Sequence, residues 1–161
     1  MNSTKSGRIG RRIGIAGTIV VTFIMGSLIM LSWLQNRPDK LGLADGKLHP
    51  CQNPANCVCS EFSGAASAEP ISFTGSASAA MARLVEIVGA MPGAKVISQD
   101  ENYLHVEFSS RVFGFIDDVE FRIDEAASAI HFRSASRIGL ADLGVNRNRM
   151  QQIREEFRDQ S

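Results

Sequence analysis

The feature that most constrains this chain is an apolar run near its start, residues 13–34, IGIAGTIVVTFIMGSLIMLSWL, which contains no charged side chain. As a helix, a segment of this length crosses a hydrocarbon layer about 30 Å thick. Four basic residues and no acidic residue precede it, and such an excess of positive charge marks the flank that stays in the cytoplasm. The pattern predicts a cytoplasmic basic arm at residues 1–12 and a single-pass transmembrane signal anchor at residues 13–34.

A cleaved secretory signal is the alternative for this segment. Its apolar region normally has about 7–15 residues and ends at a small-x-small site. Gly42-Leu43-Ala44 has that character, but it lies well past the end of an apolar run that is already too long. With or without cleavage, we expect the rest of the chain outside the inner (cytoplasmic) membrane, in the periplasm or an equivalent space.

Charge argues against a nucleic-acid partner. The chain has 17 basic and 17 acidic residues, and removal of the four basic residues of the arm leaves the exported part with an acidic excess. Nucleic-acid binding calls for a basic face. We therefore expect no nucleic-acid partner, and the protein or small-molecule partner stays open.

Three cysteines and a histidine occur together in HPCQNPANCVCS, residues 49–60. Thiols outside the cytoplasm tend to be oxidised, so these cysteines are first of all disulfide candidates. Cys57 and Cys59 are separated by one residue and would form a strained ring, whereas Cys51 pairs more easily with either of them. The alternative is a zinc or copper(I) site with His49, Cys51, Cys57 and Cys59 as ligands, although the spacing differs from the usual C-x2-C knuckles. No other cofactor is expected.

Hydrophobic periodicity predicts the elements of the exported domain. Residues 35–48 are polar, contain Pro and Gly, and are predicted as a linker, so the domain is placed at residues 49–161. Met81, Leu84, Val85 and Val88 follow helical spacing and precede a Gly-Pro-rich stop. Alternation and turn residues predict strands at 71–73, 94–99, 103–110, 117–124 and 129–137.

The two hairpins carry most of the fold prediction. If Asp124 pairs with Ala129, then Ile123 meets Ile130 on the core face and Glu120 meets Arg133 on the other. In the first hairpin, the face that carries Tyr103, His105 and Glu107 is predicted to be solvent-exposed.

A last helix is predicted to begin at Asn146 as N-cap, with Val145 and Met150 forming a hydrophobic staple. Together the elements predict an α+β fold, in which an antiparallel sheet of about four to five strands carries two helices on one face, preceded by the transmembrane helix.

Four blocks in this order, PCQNPANCVCS, DDVEF, RSASRIG and DLGVNRNRMQQIR, resemble the domain-of-unknown-function family 1499, which is found in bacteria and plastids and is often exported or membrane-anchored. The resemblance covers roughly residues 41–158. It implies that Cys51 and Cys57 are the usual cysteine pair, while Cys59 stands where the family usually has Ser. This departure weakens the metal hypothesis. The resemblance implies a fold and a location but no reaction.

Polar residues are densest in the second and third of these blocks and at the start of the last helix. Arg147 and Arg149 occupy the first turn of that helix, where the helix dipole disfavours cations. One interpretation is structural: acidic residues, in particular Asp117, Asp118 or Asp142, pair with the arginines. The other is an anion pocket at the helix start. The residues predicted for this pocket are Arg133, Arg137, Asp142, Asn146 and Arg147, and those predicted for structural ion pairs are Asp117, Asp118 and Glu120.

No catalytic residue is assigned. Asp117 and Asp118 are adjacent in a strand and point to opposite faces, and the serines lack a G-x-S-x-G elbow. The sequence predicts a non-enzymatic accessory or binding module of the cell envelope that takes an anionic small molecule or lipid. Metal handling through His49 and the cysteines is the first alternative, and a hydrolase is the second.

Overall fold

The structure, a computed structural model, describes residues 4–159, and it describes side chains from residue 17 onward. The chain divides into two compact units, Met1–Leu34 and Gln35–Ser161. The first unit consists of helix α1 (Thr4–Trp33). Within the described part of the chain, no helix is sufficiently long and apolar to cross a membrane. The transmembrane helix predicted at residues 13–34 is therefore not supported; the side chains of residues 13–16 and of the predicted arm, residues 1–12, lie outside the described residues.

The second unit is an α+β fold built on a main antiparallel sheet of six strands, together with a separate two-stranded hairpin. The main sheet has the order β3-β8-β7-β6-β5, and β4 pairs with the same strand β8 as β3 does. The elements are β1 (Leu43–Ala44), β2 (Lys47–Leu48), β3 (Cys57–Cys59), β4 (Ile71–Ser72), α2 (Ala77–Ala90), β5 (Ala94–Gln99), β6 (Tyr103–Ser109), β7 (Ile116–Asp124), β8 (Ala129–Ser136) and α3 (Val145–Asp159).

The predicted α+β class is confirmed, but the strand count of four to five is too low. The additional strand in the main sheet is β3, which carries two of the three cysteines and hydrogen-bonds to the end of β8. Strand β3 has only three residues, Cys-Val-Cys, so it shows no alternation of apolar and polar side chains. The sequence pattern therefore could not reveal this strand.

The predicted register of the β7–β8 hairpin is confirmed. Asp124 pairs with Ala129, and Ile123 pairs with Ile130. This register follows from the two-residue period of a strand, because a slip by one residue would turn every apolar side chain away from the core.

The hydrophobic core lies between one face of the sheet and helices α2 and α3. Leu104, Phe121 and Phe132 are fully buried on the sheet side. Leu84 of α2 and Ile153 of α3 meet them from the helix side. Burial of such side chains contributes roughly 1.5–3 kcal/mol each, which explains why both helices pack on the same face.

The opposite face of the sheet is not solvent-exposed, and that prediction is wrong. It is covered by a segment here called the strap, residues 35–56. Leu48 in β2 is buried against this face, close to β7 and β8, and the backbone N–H of Gly42 donates to Glu120 Oε1 at 2.7 Å. Residues predicted as a linker, 35–48, thus form β1 and β2 within the folded unit. They remove Tyr103 and His105 from solvent.

The start of α3 also differs from its prediction. The helix begins at Val145, and Asn146 is buried within it. The side chain of Asp142 accepts hydrogen bonds from the backbone N–H of Gly144 at 3.0 Å and of Asn146 at 2.8 Å. Asp142 therefore satisfies one free N–H group of the first turn, and its negative charge suits the positive end of the helix dipole.

Candidate functional site

Charged and hydrogen-bonding side chains lie buried or half-buried on the strap side of the sheet, in groups that are each joined by hydrogen bonds. We call them the charged layer, and its members lie on strands β6, β7 and β8 or, for Arg137, directly after β8. They alternate with core residues along each strand, so the same period that builds the core also builds this layer. The charged layer comprises Tyr103, His105, Glu107, Asp118, Glu120, Arg122, Arg133 and Arg137.

Glu120 is the most deeply buried acid of the layer, with 0% of its surface exposed. Its Oε2 accepts from Arg133 Nη1 at 2.8 Å, and its Oε1 accepts from Tyr103 Oη at 2.8 Å as well as from Gly42. Burial, followed by the charge of Glu120 and the hydrogen bond to it, raises the pKa of Tyr103 well above its ordinary value. The phenol therefore acts as a fixed donor to the carboxylate.

Arg137 joins two further acids. Its guanidinium donates to both oxygens of Asp118 at 2.8 Å and to Glu107 Oε1 at 2.5 Å, while His105 Nε2 lies 2.8 Å from Asp118 Oδ1. Burial alone would raise the pKa of Asp118, but the hydrogen bonds from Arg137 and His105 outweigh it and lower that pKa below its ordinary value. The pKa of Glu107 is lowered in the same way, because Arg137 and Arg37 outweigh the effect of burial.

Arg122 anchors the segment that follows β3. Its guanidinium lies 2.5 Å from Glu61 Oε1 and 3.3 Å from Asp124 Oδ2. Glu61 Oε2 in turn accepts from the backbone N–H of Leu48 at 2.5 Å. The strap is thus held by charge-assisted hydrogen bonds at Gly42, directly to the sheet, and at Leu48, through Glu61. Such bonds are stronger than neutral ones.

A polar cavity of about 220 Å³ lies at one end of the charged layer, beside the cysteine loop. Two arginines and one acid of the layer line it, and the end of β8 and the segment from the strap to the disulfide supply the remaining walls. The lining residues are Pro38, Gln52, Asn53, Asn56, Cys57, Asp118, Arg133, Ala135, Ser136 and Arg137. Since one water occupies about 30 Å³, the cavity has room for a small polar molecule.

Arg133 has an unused donor in this region. Its side chain is 8% exposed, and its Nε atom is buried without a hydrogen-bond partner in the described part of the structure. A buried donor without a partner costs about 1–3 kcal/mol. Because the atom has almost no accessible surface, this cost is part of the fold.

Asn146 connects the cavity wall to helix α3. Its Nδ2 donates to the carbonyl of Asn56 at 3.1 Å and to Ser136 Oγ at 3.0 Å, and its Oδ1 accepts from Ser134 Oγ at 2.5 Å. Asn56 and Ser136 both line the cavity. Asn146 therefore positions the lining without belonging to it.

The structure brings together only part of the predicted anion pocket. Arg133 and Arg137 line the cavity, whereas Asp142 caps α3 and Asn146 stands behind the wall. Arg147 lies elsewhere, because its guanidinium donates to the carbonyl of Ser67 at 3.2 Å.

The other arginine of the first turn is paired with an acid. Arg149 Nη2 lies 2.6 Å from Asp117 Oδ2, and its guanidinium stacks over the ring of Phe108 at 4.6 Å. Asp118 and Glu120 pair with Arg137 and Arg133, respectively. Each acid predicted for a structural ion pair thus has a cationic partner.

Cys51 and Cys57 form a disulfide, and Cys59 is free and buried. The bond removes two of the four ligands of the alternative metal site, because disulfide sulfur is not a thiolate. Among the described residues, no group of three or more His, Cys, Asp or Glu side chains is arranged to hold a metal ion. The geometry therefore gives no support to a site formed by His49 with the cysteines.

Two contacts of histidine side chains bear on the alternative of a hydrolase, one with a serine and one with an acid. Ser60 Oγ lies 3.4 Å from His131 Nδ1, while the histidine that contacts an acid, His105, contacts Asp118. Among the described side chains, serine, imidazole and carboxylate are thus not connected in one chain of hydrogen bonds, which a triad requires.

A family model described as a protein of unknown function, DUF1499, matches residues 47–157. The chain belongs to the DUF1499 family. Searches of curated proteins and of solved structures found no match. The DUF1499 region contains the disulfide, every residue of the charged layer and all of the cavity lining except Pro38. It excludes the apolar run at residues 13–34.

Sequence reasoning missed Tyr103, His105 and Glu107 of β6 as parts of the charged layer. A signal was present in the strand register: Glu107 lies directly opposite Asp118. Like charges at such positions destabilise a sheet, so a cation has to lie between them. Arg137 fulfils this requirement. Its position two residues after Ala135, the residue that pairs with Asp118, could have identified it.

Proposed function

We propose that this DUF1499 chain is a non-enzymatic accessory module of the cell envelope, which binds a small polar ligand with at most one negative charge in the cavity beside the disulfide. The observation that carries the proposal is a polar cavity of about 220 Å³ that is lined by Arg133 and Arg137. Glu120 and Asp118 hold these two side chains in place before any ligand binds, which lowers the cost of binding because neither side chain has to be ordered.

The charge of the layer supports a weakly charged ligand. Arg133 and Arg137 already bind Glu120, Asp118 and Glu107, so little positive charge is left over for a multiply charged anion. A single carboxylate can accept from a guanidinium of the lining, while the amide of Asn53 or Gln52 donates to its remaining oxygen. Inorganic phosphate and nucleotides fit this balance less well.

The location outside the cytoplasm is part of the same proposal. A disulfide that joins Cys51 to Cys57 persists in oxidising compartments and is rare in the cytosol. The basic arm and the uncharged run at residues 13–34 have the composition of an uncleaved signal anchor. Both observations favour export of the DUF1499 domain with the amino terminus in the cytoplasm.

Ligand binding is tested by filling the cavity. Ala135 lines it and lies on β8, where valine is well tolerated, so Ala135→Val removes space without a charge change. Acetate is the probe, and chloride at equal ionic strength is the control. We expect acetate to raise the thermal unfolding midpoint of the wild-type full chain and of Ala126→Val, an exposed turn variant, but not that of Ala135→Val. An equal rise in all three proteins, or none in the wild type, would contradict binding in this cavity.

Export is tested by protease accessibility. An epitope is attached after Ser161, the chain is expressed in a bacterial host, and protease is added to sealed spheroplasts. We expect loss of the epitope without lysis. Protection of the epitope until the spheroplasts are lysed would overturn the proposed location.

A further inference from the structure

The large apolar side chains exposed on the second unit are concentrated at one end of its sheet. Among the described residues of this unit, the four most exposed are Leu143 at 96%, Leu140 at 91%, Val112 at 67% and Val145 at 49%. We call these four residues the apolar end. Exposed apolar residues that occur singly are normal, whereas a group of them marks an interaction site.

The strand register places these residues together. Val112 precedes β7, and Leu140 and Leu143 follow β8. Asp117 at the start of β7 pairs with Ser136 at the end of β8, so the loops before β7 and after β8 leave the sheet at the same end.

The backbone at Leu143 is held in a conformation that leucine rarely adopts. Its φ is +53°, in the left-handed region that favours Gly or Asn. Asp142 maintains this turn by accepting from the N–H of Gly144. The backbone of Leu143 is therefore strained, and its side chain is almost fully exposed. Neither feature stabilises the isolated domain.

The chain enters the domain at the same end. Gln35, the first residue of the second unit, accepts from the backbone N–H of Ile116 at 2.7 Å and donates to the carbonyl of Gly114 at 3.1 Å. The residue that precedes Gln35 is the last of the uncharged run at 13–34. If that run is anchored in a membrane, as proposed above, the anchor joins the domain at the apolar end.

The opposite end of the sheet has the reverse character. Its turns contain the exposed residues Asp100, Glu101 and Glu125, which anionic lipids repel. At the apolar end, exposed Arg111 adjoins Val112, and a basic residue beside apolar ones is attracted to a lipid surface. Half-buried Asp142 offsets the charge of Arg111 at the apolar end. Hydrophobicity and the position of the acidic turns thus favour the same orientation.

From this coincidence we infer that the apolar end docks on the surface of a phospholipid bilayer, with Leu140, Leu143 and Val112 inserted among the lipids. The inference rests on the membrane anchoring proposed above. It adds an interaction surface and an orientation of the domain, with the acidic turns directed away from the lipid.

The test uses the full chain in vesicles of phosphatidylcholine and phosphatidylglycerol. An environment-sensitive fluorophore is attached at Leu143→Cys or, as matched control, at Glu125→Cys, both in a Cys59→Ser background. We expect a lipid-borne quencher to reach the label at position 143 and aqueous iodide to reach the label at position 125, with a severalfold difference in each case. A label at position 143 that iodide quenches as strongly as the control would overturn the inference. Shielding of that label from both quenchers would show that protein covers this end and would overturn it equally.

Failure of the anchor is distinguishable from failure of docking. A chain that does not float with the vesicles would overturn both, whereas a floating chain with an iodide-accessible label at position 143 would overturn docking alone. A second variant, Leu140→Ser with Leu143→Asn, is expected to make a label at Val112→Cys severalfold more accessible to iodide. Its unfolding midpoint should not fall, because both leucines are exposed and Asn tolerates the left-handed conformation. Unchanged accessibility at position 112 would contradict the insertion of these leucines.

Discussion

At the scale of single residues, Glu120 shows how a buried charge becomes compatible with a sheet. Three donors, from Arg133, Tyr103 and Gly42, replace the water that its carboxylate loses. A buried carboxylate is tolerated only while its partners remain, because loss of one partner destabilises the folded state by more than the intact pair stabilises it. The stability of this site is therefore most sensitive to changes that neutralise one member.

We predict that Glu120→Gln lowers the free energy of unfolding by about 3–5 kcal/mol, the usual cost of leaving one member of a buried pair uncompensated. Arg133 would keep its charge in a buried position and lose its anion. Glu125→Gln in the exposed β7–β8 turn is the matched control and should change stability by less than about 0.5 kcal/mol. Thermal and urea unfolding of the full chain in mild detergent measures both. Similar values for the two variants would contradict the buried ion pair.

Cys59 provides a second test at this scale. Burial raises the pKa of its thiol, and thiols react as thiolates, so the folded protein should be inert to a thiol reagent at neutral pH. We expect one reactive thiol after denaturation and three after denaturation with reduction. Rapid reaction of a thiol in the folded state, or three thiols before reduction, would show that the pairing or the burial differs from the structure.

At the scale of elements, the turn between α2 and β5 depends on a single glycine. Gly93 has a φ of +80°, and a Cβ atom at this position would lie 2.4 Å from the carbonyl oxygen of Ser109. The backbone N–H of Ser109 also donates to the carbonyl of Gly93 at 2.9 Å. This close approach connects the end of β6 to the start of β5.

We predict that Gly93→Ala lowers the free energy of unfolding by more than about 1 kcal/mol, because the substitution both strains the backbone and displaces Ser109. Gly89→Ala is the matched control. Gly89 lies inside α2, and a Cβ atom there meets nothing within 4 Å. Because alanine has the higher helix propensity, this variant should raise the free energy of unfolding by about 0.5–1 kcal/mol. Chemical denaturation of both variants measures the two changes in the free energy of unfolding. Stabilisation by both alanines would contradict the close approach at Gly93.

Helices and strands were predictable from the sequence where apolar side chains recur with a single regular spacing. The β7–β8 hairpin shows apolar side chains at every second position and a short turn, so its register followed directly. Strand β3 and the strap have no such period, since their contacts are hydrogen bonds to residues distant in sequence, for example from Gly42 to Glu120. A local pattern cannot report a partner that lies far along the chain.

The same limit explains the candidate site. Arg133 and Arg137 stood out because arginines were dense in that block, but their acidic partners were distributed over two other strands. His105 and Glu107 alternate with core residues in the manner of a solvent-exposed face, and only the strap reverses that interpretation. For Arg147, nearness in sequence to the other arginines was misleading, because α3 carries it away to Ser67.

At the scale of the whole molecule, the charged layer makes the stability of the domain dependent on pH. The pKa values of Asp118 and Glu107 are lowered in the folded state because Arg137 and its neighbours outweigh the effect of burial. The pKa of Arg137 is raised, for which its hydrogen bonds to Asp118 are the main cause. A carboxyl group with a lowered pKa binds fewer protons in the folded than in the unfolded state. Its contribution to stability is present above the ordinary carboxyl pKa of about 4 and is lost as the pH falls through the lowered pKa.

We therefore predict a plateau of stability from about pH 5 upward and a fall below about pH 4. Because the raised pKa of Arg137 keeps this guanidinium charged, its pairs with Asp118 and Glu107 impose no loss on the alkaline side within the range where the fold is measured. Urea unfolding of the full chain across this range measures the effect. Glu107→Gln should reduce the slope on the acidic side, because it removes one of the titrating acids, whereas Glu101→Gln in the exposed β5–β6 turn should leave the slope unchanged. A stability that rises as the pH falls from about 5 to about 3 would show that the acids of the layer are held in their protonated form, and would contradict the ion pairs from which the candidate site is built.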